Sequence, residues 1–304
     1  MTRRIPRSNR IYSFSKDNPP ALAVRPPAEL VFETEDCFDG RVTPDHPNLG
    51  VVDWNRINPA TGPVRIEGAG PGDVLAVRIR GITLAPRGLM AAIEDIGVFG
   101  GRVSRTEVRF VPIDNGRARF GEHLEFPVKP MVGVIGVAPA GEPVPCGTPG
   151  SHGGNLDTRI IGPGCTVLFP VTVDGALLAL GDVHAVMGDG EVMGTGVEVA
   201  AEVTVQVEVR RDLADLKLSN PIVVTDSTLA TVASAKTLDA AVKAATRGMV
   251  EILMQRARLS LNEAGLLCSA VGTAAICQVV DPLKTARFEL PLSVLSDLGL
   301  EGVN

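Results

Sequence analysis

Apolar side chains recur at every second position over long stretches of this sequence. Between Glu198 and Arg210, the residues Val199, Val203, Val205, Val207 and Val209 largely alternate with Glu198, Glu202, Thr204, Gln206, Glu208 and Arg210. A period of two belongs to a strand with one buried and one wetted face. The β-branched runs Val74 to Ile79, Val132 to Val137, Thr166 to Val173 and Val197 to Val209 read as further strands, punctuated by Gly and Pro. Pro71-Gly72-Asp73, Asp174-Gly175 and Asp189-Gly190 lie between apolar runs and favour tight reversals. Residues 1–220 are therefore expected to form a hairpin-rich β domain of sandwich or barrel type.

After Pro221 the period changes. Leu238, Ala241, Val242, Ala245, Met249, Ile252, Leu253 and Ala257 fall at helical spacing, predicting an amphipathic helix from an N-cap at Thr237 to about Leu259. Ser260-Leu-Asn-Glu263 reads as a capping box opening a second helix through about Ala270. Ala274 to Val280 and Ala286 to Leu290 read as strands. The expected fold is mainly β, with sandwich- or barrel-like β subdomains and a small C-terminal α/β element, 221–304, packed on the domain 1–220. No fixed-period repeat points to a solenoid or propeller.

Composition narrows the class. At 304 residues, 45% hydrophobic and 21% charged, the chain can bury a large core without disulfides. A net charge of −6 gives no general attraction to nucleic acid or an anionic membrane. Arg3, Arg4, Arg7 and Arg10 form the one basic cluster, expected as a solvated arm or a subunit contact. No apolar run is long enough for a membrane span and no secretory leader is evident, so a cytoplasmic protein is expected. The five cysteines, Cys37, Cys146, Cys165, Cys268 and Cys277, lack C-x-x-C spacing and read as reduced, mostly core residues.

Only four histidines occur, His46, His123, His152 and His184, and two of them stand in acidic, glycine-rich surroundings. In Gly181-Asp-Val-His184 the Asp182 and His184 side chains are two residues apart, which on an extended strand puts both on one face. A carboxylate beside an imidazole suits a metal such as zinc, although such a pair also occurs simply hydrogen-bonded. The Gly188-Asp-Gly190 turn can bring Glu191 to the same end of the sheet, and Asp157 arrives from the glycine-rich segment after His152. His152 is a candidate catalytic residue with turn capping as its alternative. Gly153 and Asn155 beside it are candidate substrate-binding residues. Glu33, Asp36 and Glu94-Asp95 are acidic groups that a pocket could borrow, or plain solvated charge.

Covalent schemes find no support: Ser151 is not in a G-x-S-x-G elbow, and Cys146 sits in a Pro-rich loop without an evident partner. The Gly188 to Gly196 run does not match a dinucleotide-binding loop and reads as a hairpin turn.

Taken together, Asn58-Pro-Ala-Thr-Gly-Pro63, Glu67-Gly-Ala-Gly-Pro-Gly-Asp-Val-Leu75, Ile135-Gly-Val-Ala-Pro139, Gly153-Gly-Asn-Leu-Asp157, Gly181-Asp-Val-His-Ala185 through Glu191, and the late Gln278-Val-Val-Asp-Pro282 resemble the acetamidase/formamidase family in order and spacing. The resemblance spans roughly residues 25 to 295. It implies a β-rich fold, a homo-oligomer of two or more copies, and hydrolysis of formamide- or acetamide-like amides to acid and ammonia. It also implies a divalent metal, zinc or alternatively calcium, and carries the site over onto Asp157, Asp182, His184 and Glu191 with Asp36 as an outer candidate; the grouping of these residues suggests Asp157, Asp182 and His184 as ligands and Glu191 as general base. Gly272-Thr-Ala274 departs from the family where an aspartate is expected, and the interval from 85 to 130 is altered, leaving room for a larger or cyclic amide. The competing expectation is a β protein that binds metal or ligand without catalysis.

Overall fold

The computed structural model describes residues 2–300. Alternation dictates its layers. In the strand Ala201–Val209 the odd-numbered residues up to Val207 are buried while even-numbered neighbours are half-buried or exposed. This strand lies between Ala28–Thr34 and Val74–Leu84 and is antiparallel to both. They belong to a nine-stranded sheet that begins at the edge strand Arg3–Ile5 and continues through Thr166–Pro170 into the C-terminal strands. A second sheet of eleven strands centres on Leu178–His184, which pairs with Met131–Gly136, Ala60–Ile66 and Glu198–Val199. Leu30, Phe32, Val77 and Val205 of the first sheet share one core with Val132, Ile135, Leu180 and Val183 of the second. The mainly β expectation holds in its layered form, and neither described sheet closes into a barrel.

The long run Val197 to Val209 is two strands. Glu198–Val199 pairs within the second sheet, and after Ala200 the chain enters the first as Ala201–Val209. A strand that changes sheets ties the two layers at a corner. The expected strand over 166–173 ends at Pro170, where the chain meets a residue with no N–H for the ladder.

From residue 221 the described chain continues the first sheet: Ile222–Val224 pairs with Thr166–Pro170, and Thr228–Ala235, Lys284–Pro291 and Thr273–Gln278 follow outward. Two helices cover them. Helix α1 (Leu238–Arg256) starts at the Thr237 cap and stops before the expected Leu259, because Arg258 turns into the left-handed region. Helix α2 (Leu261–Val271) opens with the Ser260/Glu263 capping box in full. Ala245, Met249, Leu253 and Cys268 on the helices pack with Leu229, Phe288 and Leu290 in a core of their own.

Three of the four N-terminal arginines form ion pairs: Arg4 with Glu33 and Glu202 at 2.8 and 2.7 Å, Arg7 with Glu35 at 3.3 Å, and Arg10 with Asp39 at 2.9 Å. All five cysteines are free and buried. Among the described residues no helix is long and apolar enough to cross a membrane.

Candidate active site

Glycine lets two acidic segments meet. A Cβ on Gly133, in the strand Met131–Gly136, would fall under 3.0 Å from Asp157 Oδ1 and from both the carbonyl oxygen and Oδ2 of Asp182. No other residue leaves that space. The carboxylates themselves sit on bent backbone: Asp157, Asp182 and Glu191 have φ of 38°, 52° and 47°. Non-glycine residues in the left-handed region cost free energy, and such strain concentrates at functional sites. Asp182 and His184 do face the same way, with Asp182 Oδ1 3.6 Å from His184 Nε2, but through a left-handed residue rather than a regular strand.

His184 is the hub. Its Nε2 lies 3.1 Å from Glu198 Oε2, 3.9 Å from Asp157 Oδ1 and 4.0 Å from Glu191 Oε1. Two groups of donor atoms result: Asp157 with His184 and Glu191, and Cys37 with Asp182 and Glu198, each group's atoms within 4.8 Å of one another. Asp157, Asp182, His184 and Glu198 are each 1% exposed, and Asp157 Oδ1 and Asp182 Oδ1 are buried without a hydrogen-bond partner. Buried acceptors left unpaired are costly. A divalent cation is the partner this donor set fits: imidazole and thiol sulfur suit zinc, and the carboxylate oxygens suit zinc or calcium.

The electrostatics agree. Burial, then the charges of Glu191 and Asp182, push the Asp157 carboxyl well above the usual range, and burial does the same for Glu191. Asp281 follows through burial and Asp157. Glu198 is pushed by burial up to about 7. For His184, burial opposes the charged form, yet Glu198 and Asp182 raise it well above 6.5. Without metal the cluster must hold protons instead.

A pH dependence follows. Carboxyls with raised folded-state values, and His184 raised likewise, lose their stabilising protonation as pH climbs. His152, lowered by burial to about 4, works oppositely, but its contribution is complete above the ordinary 6.5. Metal-free protein is therefore expected to melt at least about 5 °C lower at pH 8 than at pH 6.5, with the gap narrowing when divalent cation is added. A thermal melt of chelated protein whose midpoint rises across that window would contradict this.

Surrounding residues hold the cluster in place. Asn58 Nδ2 donates to Asp182 Oδ2 at 2.9 Å, and the Gly196 amide donates to Glu198 Oε1 at 2.8 Å. Asn155, on the strand Gly153–Asn155, donates from Nδ2 to Asp281 at 3.0 Å, while its buried Oδ1 has no partner. The turn carrying Glu191 is clamped to the C-terminal segment: the Gly190 amide donates to the Cys277 carbonyl at 2.8 Å, and Arg287 holds Asp189 at 2.8 and 3.0 Å.

The cluster lines a cavity of about 840 Å³ together with Tyr12, Phe38, Trp54, Asn155, Val280 and Asp281. Of the residues singled out in the sequence, the structure brings together Asp157, Asp182, His184 and Glu191, with Asn155 and Asp95 on the same cavity. Gly153 lies behind, where a Cβ would meet the Ile135 carbonyl and Gly136. His152 is buried edge-on against Phe14, their ring centroids 5.2 Å apart, and is not among the cavity-lining residues. Asp36 stands outside both donor groups and accepts from the Phe38 and Gly40 amides at 2.9 and 3.1 Å, shaping the turn after Cys37. Glu33 pairs with Arg4. The residue reading missed Cys37, Glu198 and Asp281 as site members. Asn58 and Asp281 did stand in the quoted motifs, the one signal that could have found them.

Comparisons agree with this picture. The acetamidase/formamidase family profile matches residues 4–145 and 140–237. A predicted acetamidase/formamidase of Thermoanaerobacter tengcongensis is 48% identical with a TM-score of 0.96 over 99% of both chains. An acetamidase of Bacillus halodurans is 44% identical with a TM-score of 0.92, over 97% of this chain and 99% of its own. Among curated proteins, a formamidase of Methylophilus methylotrophus is 36% identical over 76 residues, 24% of this chain and 19% of its own, and an acetamidase of Mycolicibacterium smegmatis is 25% identical over 58% of this chain and 59% of its own. The chain thus spans about a fifth and three fifths of those two relatives. With its motifs converging on one buried cluster and its fold matched end to end, the chain belongs to the acetamidase/formamidase family.

Proposed function

We propose that the protein hydrolyses a small linear carboxamide to the carboxylic acid and ammonia, using the buried cluster with one or two divalent cations. The observation that carries this reading is the convergence of Asp157, Asp182, Glu191, Glu198 and His184 on the lining of one cavity, with acceptor atoms left unpaired. A metal that only staples loops needs no ligand-sized cavity beside it, so the cavity favours catalysis. Family membership supports amide hydrolysis in the same direction.

Asp157 and His184 would hold one cation, and Cys37, Asp182 and Glu198 a second; zinc suits the nitrogen and sulfur donors. When bound, a divalent cation polarises the amide carbonyl and acidifies the attacking water. Asn155 Oδ1 and the carboxyl oxygens offer acceptors to the amide NH₂ group. Burial beside Glu198 and Asp182 keeps the Cys37 thiol protonated in the absence of metal, which disfavours it as a covalent nucleophile.

Glu191 is the proposed general base, removing the proton of the attacking water and passing it to the departing nitrogen. At 7% exposed it is the most accessible of the grouped residues, and its 4.0 Å approach to His184 is the longest of the four carboxylates. Glu191→Gln is expected to lower kcat for acetamide by about 10²- to 10⁴-fold while metal content measured by mass spectrometry is unchanged. Undiminished kcat would remove Glu191 from this role. The reading also includes a homo-oligomer and a cytoplasmic setting.

A further inference from the structure

The cavity is much larger than a short amide requires. Its volume of about 840 Å³ lies in the range of sites for drug-sized ligands, roughly 300–1,000 Å³, and acetamide would fill a small part of it. The lining is also mixed in chemistry. Beside the acids and amides around His184, Trp54, Ile57, Ile93, Ile96, Val98 and Val280 supply apolar surface. Trp54 and Val98 remain 45% and 56% exposed, an arrangement that leaves apolar area to be covered. The rim is built onto the catalytic turn: the Val98 amide donates to the Val192 carbonyl at 2.7 Å, next to Glu191.

Charge restricts what enters. Asp95, Asp157, Asp182, Glu191, Glu198 and Asp281 line the cavity; among the described residues its basic side chains are Lys284 and His184, and Lys284 Nζ is engaged with the Asp281 carbonyl at 2.6 Å. An anionic substituent set against the apolar lining would lose its hydration without gaining a cationic partner. Asn155 Oδ1, buried without a partner and outside both donor groups, is an acceptor that suits an unsubstituted NH₂ group. Bulk must then be carried on the acyl side.

Building on the amide-hydrolase reading, we propose that the preferred substrates are primary amides whose acyl group bears a neutral aromatic ring, phenylacetamide being the simplest, with the ring against Trp54, Ile96 and Val98. Burying a ring of that size favours its transition state over that of acetamide by at least about ten-fold. Trp54 is the chain's one tryptophan, so its fluorescence reports ring binding directly.

The test compares kcat/KM for acetamide, phenylacetamide and 4-carboxyphenylacetamide in the metal-loaded protein, with the Trp54→Ala variant beside it. The proposal expects phenylacetamide to exceed acetamide by at least about ten-fold and to quench the tryptophan emission, the ring carboxylate to cancel the gain, and Trp54→Ala to raise KM for phenylacetamide and collapse the preference. Turnover of acetamide with no gain for phenylacetamide would overturn this inference and leave the hydrolase reading standing. A preference that survives Trp54→Ala intact would overturn the placement of the ring. Absence of ammonia from all three amides would overturn both.

Discussion

Gly133→Ala is expected to cut amide turnover by at least about a hundred-fold while the protein stays folded. The added methyl group would occupy the space where Asp157 Oδ1 and Asp182 Oδ2 approach the backbone, each under 3.0 Å from it. One of them must retreat, and displacement of about 1 Å at a reacting centre costs on the order of 10²-fold. The clash is with flexible carboxylate tips and one carbonyl, not with the apolar core, so the sheet should survive. Gly141→Ala is the control, since its Cβ meets nothing within 4 Å. Kinetics and thermal melts of the two variants check this. Normal turnover in Gly133→Ala would mean that Asp157 and Asp182 need not meet at all.

The fold was legible where a local period decides it. Thr237 and Ser260 announced helices α1 and α2 because capping is short-range chemistry, and the hairpin turns spoke through Gly and Asp. The sheet change at Ala200 was not legible: Val199 and Ala201 keep the same alternation, so nothing in the period marks the corner. Nor did the compositional change at Pro221 coincide with a break in pairing, since β ladders join strands far apart in sequence.

The site divides along the same line. Asp182, His184 and Glu191 were visible because one strand and its turn carry them, and Asp157 because it follows a glycine-rich stretch. Glu198 resembled a wetted strand residue. A period of two tells which way a side chain points, not whether that side meets water, and here it meets His184. Cys37 and Asp281 come from segments about 150 and 100 residues from that strand, and only tertiary structure brings them in. Asp36, chosen for its acidic neighbourhood, is spent on backbone amides instead, leaving its neighbour Cys37 inside the site.

His184→Ala is the second change with a large expected effect. It removes the one imidazole from a group of carboxylates and with it a positive charge that offsets theirs. Loss of a donor nitrogen from the first donor group should lower metal affinity and turnover together, by at least about a hundred-fold, and should also destabilise the metal-free chain. The most direct measurement follows from it: ammonia release from acetamide and phenylacetamide as zinc is titrated into chelated protein, for the parent chain and His184→Ala. The account predicts no release from the stripped chain, recovery that saturates at one or two zinc ions per chain, and no comparable recovery in the variant. Full ammonia release by the stripped parent chain, or equal recovery by His184→Ala, would contradict it.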